Sequence, residues 1–236
     1  MISLRNVSKE FNSKNMALTG INFDAKQGEF IYVVGPSGAG KSTLLKLLCR
    51  EEQLTGGSII MGNTRLEKIK TRSLYKLRRQ LGIVLQTDLF IPYYSVFENI
   101  RYCLEAVGSG TFADEKRVQA VLKEVGMAEY KDSYLNELSI GQQKKVAIAR
   151  AIINNPPIIL ADEPTANLDA KSALEIMKLF FKINRTKTTV IMATHDSTMV
   201  NTVRRRVLEL QNGYLIRDEE NGGFSSIADP KDVYIW

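Results

Sequence analysis

The chain of 236 residues carries 32 Lys and Arg against 26 Asp and Glu, one His and two Cys, and 44% of it is apolar. At ~150 residues per domain this suits one compact domain or a core with a sizeable insertion, and it excludes a mainly disordered chain. No apolar run approaches the ~18 to 20 residues of a bilayer span, and the start Met-Ile-Ser-Leu-Arg-Asn lacks the layout of an export signal, so neither is expected. Cys49 and Cys103 sit far apart within apolar helical stretches and are read as reduced thiols, which favours the cell interior. A net charge of +6 favours a polyanionic neighbour, be it nucleic acid, anionic lipid or a phosphorylated ligand. The basic clusters Lys68, Lys70, Arg72, Lys76, Arg78, Arg79 and Arg204, Arg205, Arg206 are read first as solvated faces.

Short β-rich runs open the chain at Ile2 to Val7, Ile21 to Ala25 and Phe30 to Val34, the last so continuously apolar that a strand covered on both faces is predicted. Two more strands are expected at 56 to 62 and 82 to 86, with a basic helical segment from Ser73 to Gln80 between them. Ser95 and Glu98, three apart ahead of Ile100, Leu104 and Val107, predict a capping box opening a helix. Further helices are expected near 114 to 125 and 140 to 154. Strand signals return at Pro157 to Ala161 and Thr188 to Ala193. Between them Ala173, Ile176, Met177, Phe180 and Phe181 form one helical stripe. This alternation predicts an α/β core with a parallel sheet (1–89 and 156–220), interrupted by a helical insert at about 90–155. The polar end from 221 to 236 is expected to be a poorly fixed tail.

Gly35-Pro-Ser37-Gly38-Ala-Gly40-Lys41-Ser42 matches G-x-x-x-x-G-K-[ST] directly after the buried strand and before the helical stretch from Thr43. Glycines let the backbone wrap phosphate oxygens, and successive N–H groups at a helix start supply partial positive charge. Lys41 reaches the β- and γ-phosphates, and the Ser42 hydroxyl can ligate Mg2+. The pattern is a nucleoside triphosphate cradle. Downstream, the apolar run from Ile158 ends in Asp162-Glu163, which suits a carboxylate that holds Mg2+ beside one that polarises a water. Ser139 with the Gly141 N–H at a helix start makes a second anion site, Gln86 can bridge Mg2+ or water, and the sole histidine, His195, can touch a γ-phosphate.

Leu138-Ser139-Ile140-Gly141-Gln142-Gln143, about 20 residues before Asp162-Glu163, resembles the signature loop of ABC-type ATPases. Gln86 resembles their Q-loop glutamine, Asn167-Leu168-Asp169 their D-loop, and His195 their switch histidine. Phe11 stands where their adenine-stacking aromatic stands. The resemblance covers residues 1 to about 220. It implies an α/β P-loop NTPase core, a RecA-like mixed sheet with an N-terminal antiparallel β subdomain, plus an inserted α-helical subdomain. It also implies ATP and Mg2+ as cofactors, with Ser42, Gln86 and Asp162 at the metal, Glu163, His195 and Gln86 in catalysis, and Phe11, Gly35, Ser37, Gly38, Gly40, Lys41, Ser42, Thr43, Ser139, Gly141, Gln142 and Asp169 at the nucleotide. A head-to-tail homodimer with two ATP at its interface is implied as well.

Two departures stand out: Ile140 replaces the usual glycine, which matters if that position needs positive φ, and Lys144-Lys145 replaces the usual Gln-Arg. Glu29 to Ser42, Leu48 to Glu52 and Met192 to Asp196 resemble the FtsE family of bacterial cell-division ATPases, which implies an FtsX-like polytopic membrane partner and a cytoplasmic position on the inner face of the plasma membrane. Lipoprotein-release and export-type ATPases share these motifs, and a non-hydrolysing ATP-dependent scaffold is the alternative of another class. No nucleic-acid partner is expected, because the helical insert lacks coiled-coil heptads and the chain has one cassette. Leu89-Phe90-Ile91-Pro92 is an apolar loop that a partner's helix could cover.

Overall fold

The computed structural model describes residues 1–12, 15–108 and 112–224. In chain order its elements are β1 (Ile2–Asn12), β2 (Asn15–Ala25), β3 (Phe30–Val34), α1 (Lys41–Leu48), β4 (Gly56–Met61), β5 (Thr64–Arg65), α2 (Leu74–Arg78), β6 (Leu81–Val84), α3 (Val96–Glu105), α4 (Phe112–Glu124), α5 (Ile140–Ile152), β7 (Ile158–Asp162), α6 (Ala170–Asn184), β8 (Thr189–Ala193), α7 (Ser197–Thr202), β9 (Arg205–Gln211) and β10 (Tyr214–Gly222). The chain folds as two compact units, one of Met1–Leu77 with the chain from Thr189 on, the other of Arg78–Thr188.

The first unit holds two sheets. An antiparallel sheet runs in the order β2-β1-β4-β5, and in the other β3 pairs in parallel with both β8 and β9, while β10 closes a hairpin on β9. Every residue of β3 and β8 is buried, as expected of parallel strands covered on both faces. The second unit pairs β6 with β7 in parallel and carries α3, α4, α5 and α6. Ser95 caps α3 in the capping box that its spacing predicts. α6 buries Ala173, Ile176, Met177, Phe180 and Ile183, so Ile183 completes the apolar stripe, whereas Phe181 is only half-buried.

The hairpin β9–β10 is not among the strands that the sequence predicts, where Arg204 to Arg206 read as a solvated basic face. The structure corrects this for Arg206, whose side chain is 13% exposed and donates to Asp218, Glu29 and the Asp24 carbonyl. An arginine with several acceptors fixed around it is a cross-strand tie, not a free charge. Lys68, Lys70, Arg72 and Lys76 are exposed, as read. Cys49 is buried and Cys103 is half-buried, and the two do not form a disulfide. Among the described residues no helix is long and apolar enough to cross a membrane. The tail lies outside the described residues from 225 on.

Candidate nucleotide-handling site

In the first unit the loop from Gly35 to Gly40 joins the C-terminal end of β3 to α1. Its shape belongs to its glycines. Gly40 holds φ +106, and a Cβ there would sit 2.6 Å from both the Ala17 carbonyl oxygen and the Leu18 side chain. At Gly35, with φ +140, a Cβ would lie 2.1 Å from the Leu210 carbonyl oxygen. Only glycine fits either place. Ser37 and Gly38 are exposed at the loop's tip, and Ser42 and Thr43 are half-buried in the first turn of α1. Lys41 is buried and curls back, donating from Nζ to the carbonyls of Gly35 at 2.7 Å and Pro36 at 3.0 Å. The loop is propped from beneath: Gly213 N–H donates to the Ala39 carbonyl, and Thr19 N–H donates to the Gly213 carbonyl.

His195 follows β8, the parallel neighbour of β3, with Val33 paired to Ala193. Thr194 N–H donates to the Val33 carbonyl at 3.1 Å and Asp196 caps α7, so the exposed imidazole has a fixed stem at the same strand edge as the glycine loop. Phe11, exposed near the end of β1, has the Lys9 ammonium 4.6 Å from its ring centroid, and Lys9 is itself paired with Glu52 at 2.8 Å.

In the second unit β6 and β7 run in parallel with Val84 opposite Ala161, which brings Gln86 and Asp162-Glu163 to one strand edge. Gln86 is exposed. Oδ1 of Asp162 is buried without a hydrogen-bond partner among the described residues. A carboxylate oxygen left so is costly unless a cation or donor completes it. Glu163 is buried and holds φ 47, an uncommon conformation for a side-chain-bearing residue and one that collects at functional sites.

Ser139 caps α5. Its hydroxyl accepts the Gln142 N–H at 3.3 Å, and Gln142 Oε1 accepts the Ser139 N–H at 2.8 Å. The hydroxyl proton stays available for an anion at the helix start. Asp169 caps α6, accepting from the N–H groups of Lys171 and Ser172 and from the Ser172 hydroxyl at 2.6 Å. Ser172 in turn abuts Gly141, where a Cβ would lie 3.1 Å from its Oγ. Asp169, Ser172 and Gly141 therefore connect the two helix starts.

The structure corrects one concern. Ile140 is the first residue of α5 and has no positive φ, so its β-branched side chain is unstrained; it points outward, 58% exposed.

The sequence reading missed what holds the Gln86 loop. Lys144 of α5, 4% exposed, donates to the carbonyls of Leu85 at 2.8 Å and Gln86 at 3.3 Å and pairs with Asp88 at 2.5 Å. Burial pushes the Asp88 carboxyl upward, against the pull of the Lys144 ammonium. Arg150 of α5 donates to the Leu89 carbonyl and lies over the Phe90 ring, 5.4 Å from its centroid. The replacement of the usual glutamine by Lys144 was the one available signal. Leu89 projects 73% exposed at the tip, followed by exposed Tyr93 and Tyr94.

Residues 18–166 match the family described as ABC transporter. The chain is 44% identical over 224 residues to the cell division ATP-binding protein FtsE of Streptococcus pneumoniae, covering 95% of this chain and 97% of that protein. It is 42% identical to the FtsE of Bacillus subtilis, covering 96% and 99%. The structure superposes with a TM-score of 0.85 on the ATP-binding cassette MJ0796, solved as a dimer in a post-hydrolysis state with ADP and Pi; the identity is 36%, and 95% of this chain and 100% of that one are covered. A P-loop core with a helical insertion, an ordered set of ATPase motifs and near full-length likeness lead to one assignment: the chain belongs to the ABC transporter family of ATPases, among the FtsE cell-division ATP-binding proteins.

Proposed function

We propose that two copies of this chain close head to tail around two ATP molecules, that hydrolysis lets them part, and that an FtsX-like polytopic membrane protein carries the motion to the cell wall. The observation that carries the reading is the end of β7: Asp162 with an orphaned buried oxygen beside Glu163 held at positive φ. The dimeric form of the related cassette supports the assembly.

Phe11 stacks on the adenine. The N–H groups of the loop from Gly35 through Ser37, Gly38 and Gly40 to Thr43 wrap the phosphates, and the Lys41 ammonium exchanges its two loop carbonyls for β- and γ-phosphate oxygens. Ser42, Gln86 and Asp162 would hold Mg2+, which supplies positive charge to the β- and γ-phosphate oxygens. Asp162 fits that duty because its buried oxygen meets no donor among the described residues. Glu163 takes a proton from the water that attacks the γ-phosphorus as the bond to ADP breaks, and His195 steadies the γ-phosphate. Ser139, Gly141 and Gln142 serve the partner copy's nucleotide, and Asp169 holds the adjoining helix start in place. The apolar tip around Leu89 is the surface offered to the membrane partner, and through that partner the chain sits peripherally on the inner face of the plasma membrane.

Replacing Glu163 by Gln is expected to keep ATP binding, trap the dimer and cut phosphate release by ~10² to 10⁴. Turnover unchanged in Glu163→Gln removes the general-base role. A monomer that persists at saturating ATP removes the sandwich.

A further inference from the structure

The ammonium of Lys144 is buried and has three donors to satisfy. All three acceptors come from one short stretch: the Leu85 carbonyl, the Gln86 carbonyl and the Asp88 carboxylate, whose side chain is 11% exposed. Any other path for residues 85–88 would leave a buried charge without partners, a cost the loop avoids only by staying where it is. Lys144 lies on α5, the helix that Ser139 opens, and Arg150 of the same helix grips the loop further on at Leu89 and Phe90. A glutamine, usual at this position in the family, has two N–H donors and no charge, and could not fill the same three acceptors.

We propose that Lys144 is a positioning residue for hydrolysis: its clasp with Leu85, Gln86 and Asp88 locks the main chain of Gln86 to α5, so that Gln86 and Ser139 shift together as one body. Each chain would then present Gln86 to its own nucleotide and Ser139 to its partner's through a single rigid part, which couples the two ATP sites. This rests on the reading of Gln86 given under Proposed function.

The test is a double-mutant comparison on the full chain, with steady-state phosphate release and direct ATP binding both measured. Lys144→Met keeps the aliphatic stem and removes the charge. It is expected to lower kcat by about tenfold while the ATP dissociation constant changes by less than about twofold. In a Gln86→Ala background the same replacement should change kcat by less than about twofold, because the group it acts through is gone. A merely structural role predicts equal losses in both backgrounds, and that result, or no loss in either, overturns the proposal. If Gln86→Ala alone leaves kcat untouched, the role given to Gln86 fails and takes this proposal with it, an outcome distinct from additivity. Should Lys144→Met not fold, Asp88→Asn, which retains the lysine and its two carbonyl bonds, carries the same comparison with a smaller loss.

Discussion

The loop from Gly35 to Lys41 and the loop from Leu85 to Phe90 each leave the end of a parallel strand, yet they keep their shapes by opposite means. The first is fixed mainly through main-chain contacts: glycines at positive φ, their close approach to Leu210, Ala17 and Leu18, the Gly213 prop, and a lysine that bonds carbonyls only five and six residues away. The second is fixed from outside by Lys144 and Arg150, side chains that arrive from α5 some sixty residues later. At Gly35 and Gly40 the first loop leaves no room for an added atom. A loop held by side chains can be retuned by exchanging partners, and Lys144 in place of the usual glutamine is such an exchange.

The contrast is open to attack. The largest effect is expected for Gly40→Ala, whose Cβ would meet the Ala17 carbonyl and Leu18 at 2.6 Å. ATP binding should weaken by more than ~10-fold, and denaturant unfolding should show a loss of about 1–3 kcal/mol. Binding retained within a factor of about two would show that the glycine loop is more forgiving than its geometry suggests. Far smaller is the effect expected for Ile140→Gly: with Ile140 already helical and unstrained, phosphate release should change by less than about twofold. A larger rise would mean that the side chain itself obstructs the helix start.

The smallest effect is a pH dependence in the side-chain-held unit. The Asp169 carboxyl is held below its usual 3.8 first by the Ser172 hydroxyl and then by the backbone N–H groups of the α6 start. A lowered value in the folded state means that its contribution is present in full above the ordinary value and is lost as pH falls through the lowered one. The difference in Tm between the unaltered chain and Asp169→Asn should therefore stay constant from neutrality down to about pH 4 and shrink below it. A gap that stays the same at lower pH would show that the carboxylate does not act through its charge.

What could be read from the chain follows the same division. Gly35 to Ser42, Asp162-Glu163 and the capping box at Ser95 are local patterns, and residues close in sequence dictate each of them. The hairpin β9–β10 was hidden because Arg205-Arg206 reads as surface charge unless Glu29 and Asp218 are known to stand beside it. The Lys144 clasp was hidden for the same reason, since Asp88 announces nothing until folding brings α5 to it. A family glycine at position 140 suggests a left-handed backbone, whereas Ser172 crowds the following glycine, Gly141, and Ile140 is left unstrained.

The prop beneath the phosphate loop has a consequence for biosynthesis. Ala39 is supported by Gly213, and Gly35 is shaped around Leu210, so segments far apart in the sequence build one cradle. The phosphate loop leaves the ribosome well before β9 and the turn at Gly213 that form its floor, so it can take its final shape only after they have followed.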